Sequence, residues 1–330
     1  MAKKCYIRSL AQVSCQKPLS DEWLEFPAHY AESYVRAVEP DSKGLIVPSE
    51  ARRMSKILKR TVCTAITALN DSGIEHPDAI ITGTGMGCME NSEKFLIDLS
   101  RFGESCLKPT LFMQSTHNTI SSLVAIILKC HGYNNTYTQG HLSFESALLD
   151  AWLQIKSGAI GNALIGAHDE VTPLMAAIFN RIRPQYRFIS ETSVSAMLAA
   201  APNAGGSVEV ADVQILSNTT VDDLAARLSA DTDSVMLMGV NGTDLNDDAY
   251  RQLLGKLSFT PAVLKFKNIF GENFASSAMA FYVAATMLRT QTVPAEMIMN
   301  GGNALSKKIP EITIINHSGD SAWSIIRLKI

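Results

Sequence analysis

The feature that most constrains this chain is an alternation, run through twice, of short β-rich stretches with longer segments of helical periodicity. Such alternation predicts an α/β protein whose helices cover sheets. Ser49–Asn70 is the clearest helix. Ser49 stands where it can cap it, Met54, Leu58, Val62, Ala65, Ile66 and Leu69 form one apolar stripe, and Gly73 follows the end. A strand at Ala79–Thr82 then runs into Gly83-Thr84-Gly85-Met86-Gly87, followed by a polar helix over about 90–101. Thr119–Cys130 reads as a helix, Tyr133–Gln139 as an extended strand, Phe144–Lys156 as a helix and Asn162–Ala167 as a buried strand. The rhythm returns with strands Val208–Leu216, Ser234–Val240, Ala262–Phe266, Ile312–Ile315 and Ala322–Leu328, and helices Val221–Leu228, Asp247–Leu254 and Phe274–Arg289. Two similar halves are expected, residues 1–200 and 201–330, packed as one compact unit and meeting near Ala201–Gly206.

Of 330 residues, 46% are hydrophobic, enough for a sizeable core. A net charge of -3 gives no footprint for nucleic acid or an anionic membrane. The longest apolar stretches, such as Leu123–Leu128, are too short to span a bilayer. Met1-Ala2-Lys3-Lys4 leads into a polar, strand-like run rather than an apolar one, so no secretory leader is expected. Cys5, Cys15, Cys63, Cys88, Cys106 and Cys130 are scattered without a C-x-x-C pair. They read as reduced, mostly buried thiols of a cytoplasmic protein, with neither disulfide framework nor zinc site. The seven histidines form no metal-binding helix pair. The 83–87 run is G-x-G-x-G rather than G-x-G-x-x-G and has no acidic partner at dinucleotide spacing, so it reads as a tight turn. No cofactor is called for.

Several segments, in order, resemble the β-ketoacyl synthases. Leu107–Met113 through Thr116-His117-Asn118 resembles the loop before their nucleophile, and Gly132 with Asn135–Gln139 resembles the glycine and strand leading to it. Ser157-Gly158-Ala159 and Ala163–Ala167 resemble the run after the nucleophile helix, while Glu50–Ser55 and Ile81–Gly87 resemble upstream signatures. Val240-Asn241-Gly242-Thr243 resembles the loop of the family's first catalytic histidine, and Lys267–Glu272 the loop of its second. Asn316–Asp320 stands where a gating loop lies. The resemblance covers nearly the whole chain and implies a thiolase-like, five-layer αβαβα sandwich.

It also implies positions for the chemistry. A condensing synthase carries its acyl chain on a thiolate at a helix N-terminus. The family spacing, counted forward from Asn118 and backward from Gly158, lands on His141, with no cysteine within ten residues. Where the two family histidines stabilise the developing enolate and oxyanion, this chain has Asn241 and Glu272. Only Lys267 keeps its family identity. The condensing residues are thus replaced in a scaffold that is still recognisable.

The resemblance therefore implies a non-condensing protein similar to chain-length factors, the inactive halves of heterodimeric ketosynthases in polyketide, polyene or fatty acid biosynthesis. Its partners would be an active β-ketoacyl synthase or a second copy of itself, joined through Tyr133–Gln139, with an acyl carrier protein as a further partner. Phe112 and Met113 would line the acyl tunnel. The competing reading is an acyl-thioester decarboxylase, hydrolase or acyltransferase using Ser143, His141 and Glu272, with Ser143 as nucleophile rather than as a cap of the following helix. A third is an active synthase whose nucleophile is Cys88, Cys106 or Cys130, although none of these follows an extended strand and opens a helix.

Overall fold

The computed structural model describes residues 3–182, 188–204, 206–228, 234–301, 305, 307–317 and 322–330. In chain order the first part holds β1 (Tyr6–Val13), α1 (Pro48–Ala51), α2 (Lys56–Ser72), β2 (Ala79–Gly83), α3 (Met89–Phe102), α4 (Pro109–Ser115) and α5 (Thr119–Ile127). β3 (Tyr133–Tyr137), α6 (Ser143–Ser157), β4 (Asn162–Asp169), α7 (Pro173–Ile182) and β5 (Thr192–Ala199) follow. The second part holds β6 (Val208–Leu216), α8 (Val221–Arg227), β7 (Val235–Met238), α9 (Asp244–Lys256), β8 (Ala262–Lys265), α10 (Lys267–Phe270) and α11 (Ser276–Thr290). It ends with β9 (Ile298–Asn300), β10 (Glu311–His317) and β11 (Trp323–Lys329).

The strands run in the order β3-β2-β4-β5-β1-β6-β11-β10-β7-β8-β9. The centre of this array is a short contact, Tyr6 opposite Glu209 and Ile7 opposite Val208. On each side of it the same pattern recurs. β2 lies parallel between β3 and β4, β4 pairs antiparallel with β5, and β5 with β1. Likewise β7 lies parallel between β8 and β10, β10 pairs antiparallel with β11, and β11 with β6. β9 is an extra outer strand on β8.

Side-chain alternation along the strands sorts residues into separate cores. On the first sheet Ile80 and Leu164 point into an outer core under α2 and α5, while Ile81 and Ile165 point into the central one. On the second, Met236 and Ile315 meet α8 and α9, while Leu237 and Ile314 point inward. The central layer between the sheets is α6 and α11, meeting through pairs such as Phe144 and Phe281 at 5.4 Å between ring centroids. These are the five layers, αβαβα, that the resemblance implied. Each large apolar side chain fully buried there contributes about 1.5–3 kcal/mol.

Local differences have local causes. The helix expected over 49–70 is broken: Pro48 opens α1 at its first turn, Ser55 is extended (φ -66, ψ 170), and α2 starts only at Lys56. Gly73 does end α2, in the left-handed region at φ 68. α11 is buried from Ser276 through Leu288. α6 is not buried all round, since Leu153 is exposed on its outer side. Of the segment resembling a gating loop, Ser318, Gly319 and Asp320 lie outside the described residues.

Candidate functional site

β3 enters α6 through an elbow with Gly140 at φ 56, and half-buried His141 sits on it. β2 and α6 approach so closely here that a Cβ on Gly83 would lie 2.5 Å from the Ser143 carbonyl, which only glycine tolerates. Ser143 is fully buried within the first turn of α6, and Leu142 holds the cap position. The Ser143 hydroxyl accepts the Gln139 N–H at 2.9 Å and faces the carbonyl oxygens of Gly140 and Thr84 at 2.7 and 3.1 Å. It pins the elbow to the chain before it. It is not the cap of α6.

A second elbow enters α11. α10 ends at Gly271, in the left-handed region at φ 76, where a Cβ would meet that of Ser190 at 2.6 Å. Glu272 follows, its N–H bound to the Phe188 carbonyl at 2.8 Å and its carbonyl accepting Ser190 N–H at 3.1 Å. Lys267 Nζ lies 2.7 Å from Glu272 Oε2, with side chains only 4% and 3% exposed. Asn241 Nδ2 donates to the same oxygen at 3.3 Å, and Ser276 Oγ to Oε1 at 3.2 Å. Burial alone would push the Glu272 carboxyl up. The Lys267 ammonium, helped by His141 and Asn241, outweighs burial and holds it below the ordinary glutamate value. Asn241 is itself set by Asp247, whose carboxylate accepts the N–H groups of Asn241 and Gly242 at 3.0 and 2.9 Å.

The elbows meet: the His141 and Phe274 rings are 4.4 Å apart between centroids. The fold thus gathers His141, Asn241, Lys267 and Glu272. Phe112 and Met113 are not gathered with them. They lie exposed on α4, where Phe112 instead packs on Phe95 at 5.4 Å.

Several site residues went unnoticed in the sequence. Glu145, one turn beyond His141 on α6, is fully buried. Its Oε1 accepts from Asn316 Nδ2 and Ser324 Oγ, and its Oε2 from Ser277 Oγ, each at 2.9 Å. Burial raises its pKa, against the pull of those donors. The available signal was an acid in an otherwise apolar core helix. Cys88 directly precedes α3 but does not follow a strand, since β2 ends at Gly83, and burial pushes its thiol up to about 12.

Elsewhere, α2, α3 and α4 border a groove of about 610 Å³ lined by Arg53, Lys56, Lys59, Lys94, Lys108 and Glu90, among others. Lys94 pairs with Glu90 at 2.8 Å, and the other four cations form no ion pair with a described residue.

Two sheets of matching topology, two central helices and a polar site where the helix starts converge define a protein of the thiolase-like class. Residues 23–262 match the family described as "Beta-ketoacyl synthase, N-terminal domain", and the chain belongs to that family. Its fold is similar to a β-ketoacyl synthase from Burkholderia phymatum STM815 (TM-score 0.81, 14% identity, 99% of each chain covered). It is also similar to the ketosynthase ApeO in complex with its chain length factor ApeC from Xenorhabdus doucetiae (TM-score 0.76, 13% identity, 99% of this chain and 98% of that one). A third similar structure is described as a type II PKS acyl-carrier protein in complex with its ketosynthase bound to the hexaketide (TM-score 0.80, 13% identity, 100% and 99%). No curated protein matches the chain.

Proposed function

We propose that this chain is a non-condensing member of the β-ketoacyl synthase family, acting as a chain-length-factor-type partner. The observation that carries this reading is the neutralised second elbow. An ionised Glu272, buried against Lys267 and Asn241, occupies the donors an enolate would need and would repel one. At the first elbow an imidazole, His141, stands where a thiolate would be required. The halves 1–200 and 201–330 act as one unit holding this closed site.

The partner is an active synthase or a second copy, joined through the outer edge of β3, at the end of the strand array. Such an interface would bury on the order of 2,000 Å² or more. Exposed Phe112 and Met113 would then meet the acyl tunnel near that interface. The groove, four of whose five cations form no ion pair with a described residue, suits an acidic partner such as an acyl carrier protein. The competing enzyme built on Ser143, His141 and Glu272 lacks a nucleophile, because the Ser143 hydroxyl is buried and engaged.

Incubation with radiolabelled acyl-carrier and malonyl donors tests the reading. Neither condensed product nor covalent label is expected, and a stable acyl adduct on any residue would overturn it. Co-expression with a Cys-containing synthase, followed by size-exclusion chromatography, tests the partner. A protein that stays monomeric alone and in that mixture would remove it.

A further inference from the structure

β3 ends the strand array and, among the described residues, pairs only with β2, so its other edge is open. The Tyr137 carbonyl accepts Thr84 N–H at 3.0 Å on the β2 side. By strand alternation the Thr136 N–H turns outward, where it donates to the Asn135 side-chain oxygen at 2.9 Å. None of the five residues of β3, Tyr-Asn-Asn-Thr-Tyr, is a charge or a proline, the usual guards of an open edge. The charge lies instead behind the strand, on α6. Asp150 Oδ2 accepts from Tyr133 Oη at 3.0 Å and from Tyr137 Oη at 3.1 Å, and its Oδ1 accepts from Gln154 Nε2 at 2.8 Å. Hydroxyls from the two ends of β3 thus converge on one oxygen, which sets this carboxylate level with Asn135, the middle of the strand.

Asp150 also lines a pocket of about 560 Å³ between β3, α6 and the end of β6, with Tyr137, Leu142, Leu149, Leu153 and Ile215 among its walls. It is half-buried, and it is the one charged residue among the described residues lining that pocket. It has no ion pair with a described residue. Lys156, the only cation in the α6 sequence, is turned over the Trp152 ring at 3.9 Å. Leu153, on the same flank of α6, is 52% exposed. An unguarded strand edge beside an exposed leucine marks a face that another chain covers, and one uncompensated negative charge stands at its middle.

We propose that Asp150 selects the chain that β3 accepts: it disfavours a second copy and favours a different chain that brings a lysine or arginine opposite the middle of β3. This inference rests on the reading that the partner joins through β3. A full-length antiparallel pairing of a five-residue strand with its own copy is centred on its middle residue. It therefore sets the two Asp150 carboxylates at one level on either side of the axis. The second copy's β3 brings no cation, and its tyrosine hydroxyls already donate to their own Asp150. Closing such an interface removes the water that screens the two carboxylates, so their repulsion grows as it dries. A lysine or arginine on the partner instead lays its apolar stem along Leu149 and Leu153 and its charged head on Asp150. Discrimination comes from the difference between the two pairings rather than from the strength of either.

Sedimentation of the full chain, with one species fluorescently labelled, tests this using the protein itself as probe. An equal mixture of wild type and Asp150→Lys should form a mixed dimer about tenfold or more tighter than the wild type forms with itself at about 50 mM salt. That advantage should shrink at about 500 mM salt, where surface charges are screened. A mixed dimer no tighter than the wild-type one, or none at all, would overturn the proposal. Thr136→Pro in both species removes an outward N–H but leaves the ladder to β2, and it should abolish the mixed dimer. A mixed dimer that survives it would overturn the route through β3 as well, whereas one that is lost with it yet shows no charge preference would sink the role of Asp150 alone. Should Asp150→Lys not fold, Asp150→Asn decides: its self-association should be about threefold or more tighter than that of the wild type. Unchanged self-association would equally overturn the proposal.

Discussion

The two halves solve the same problem differently. Each leads the chain into a central helix through an elbow with a left-handed glycine, Gly140 before α6 and Gly271 before α11, and each buries a glutamate beside that start. Glu145, in the first half, is held by an amide and two hydroxyls, and burial raises its pKa despite them. Glu272, in the second, is equally hidden, yet its pKa is lowered, because Lys267 stands 2.7 Å away. Depth alone does not decide whether a buried acid is charged. A cation at contact distance does, and it makes the second elbow an ionised site and the first one a site that resists charge.

The hardest blow to this contrast would fall on the cation. Lys267→Met leaves Glu272 buried without its partner and should cost about 3–5 kcal/mol of stability in urea unfolding. Lys267→Met combined with Glu272→Leu should recover most of that loss, because both desolvated charges are gone. A single-variant cost below about 1 kcal/mol, as for an exposed pair, would erase the distinction between the elbows.

At the first elbow, integrity rests on a neutral hydroxyl. Ser143→Ala would strand the Gln139 N–H and is expected to cost about 1–3 kcal/mol. It should leave any partner-supported condensation intact, since Ser143 is structural. Loss of that activity without loss of stability would return Ser143 to the chemistry.

The halves were unequally legible in the sequence. Strand β6 matched from end to end, and α6, α11 and β10 were recognisable because apolar period and flanking turns agreed. β5 and α7 gave no clear signal. β5 carries Thr192, Ser193 and Ser195 among its buried positions, so polar letters mask an interior strand. The partner set of Glu272 was only half visible: Lys267 is five residues away, but Asn241 approaches from another loop. Glu145 could not be tied to Ser277, Asn316 and Ser324 by any local spacing, because three elements of the other half bring them to it.

Smaller effects should appear as opposite pH slopes. Glu145 has a folded pKa above its unfolded value of about 4.3, so its contribution is complete below that value and is lost as pH rises through the folded pKa. Glu145→Gln should therefore gain stability relative to the parent as pH rises. Glu272 has a depressed folded pKa, so its contribution is present above about 4.3 and is lost as pH falls through the folded value. Glu272→Gln should accordingly lose relative stability as pH rises from 3 to 6. Parallel slopes in denaturant titrations across pH would mean that the two glutamates share one charge state.

The smallest expected effect is none. His141→Cys places a thiol at the first elbow but leaves the second unchanged. Glu272 would still be ionised against Lys267, and Asn241 would still donate to it rather than to a substrate oxygen. Any enolate formed opposite the new thiol would face a carboxylate instead of hydrogen-bond donors. Acyl transfer onto the cysteine is conceivable, so the test must read carbon–carbon bond formation, by mass detection of the β-ketoacyl product. His141→Cys should yield none. The triple change His141→Cys, Asn241→His, Glu272→His repairs both elbows and is the fair comparison. Product from the single change would show that the second elbow does not block the chemistry, and the inequality between the halves would lose its functional meaning.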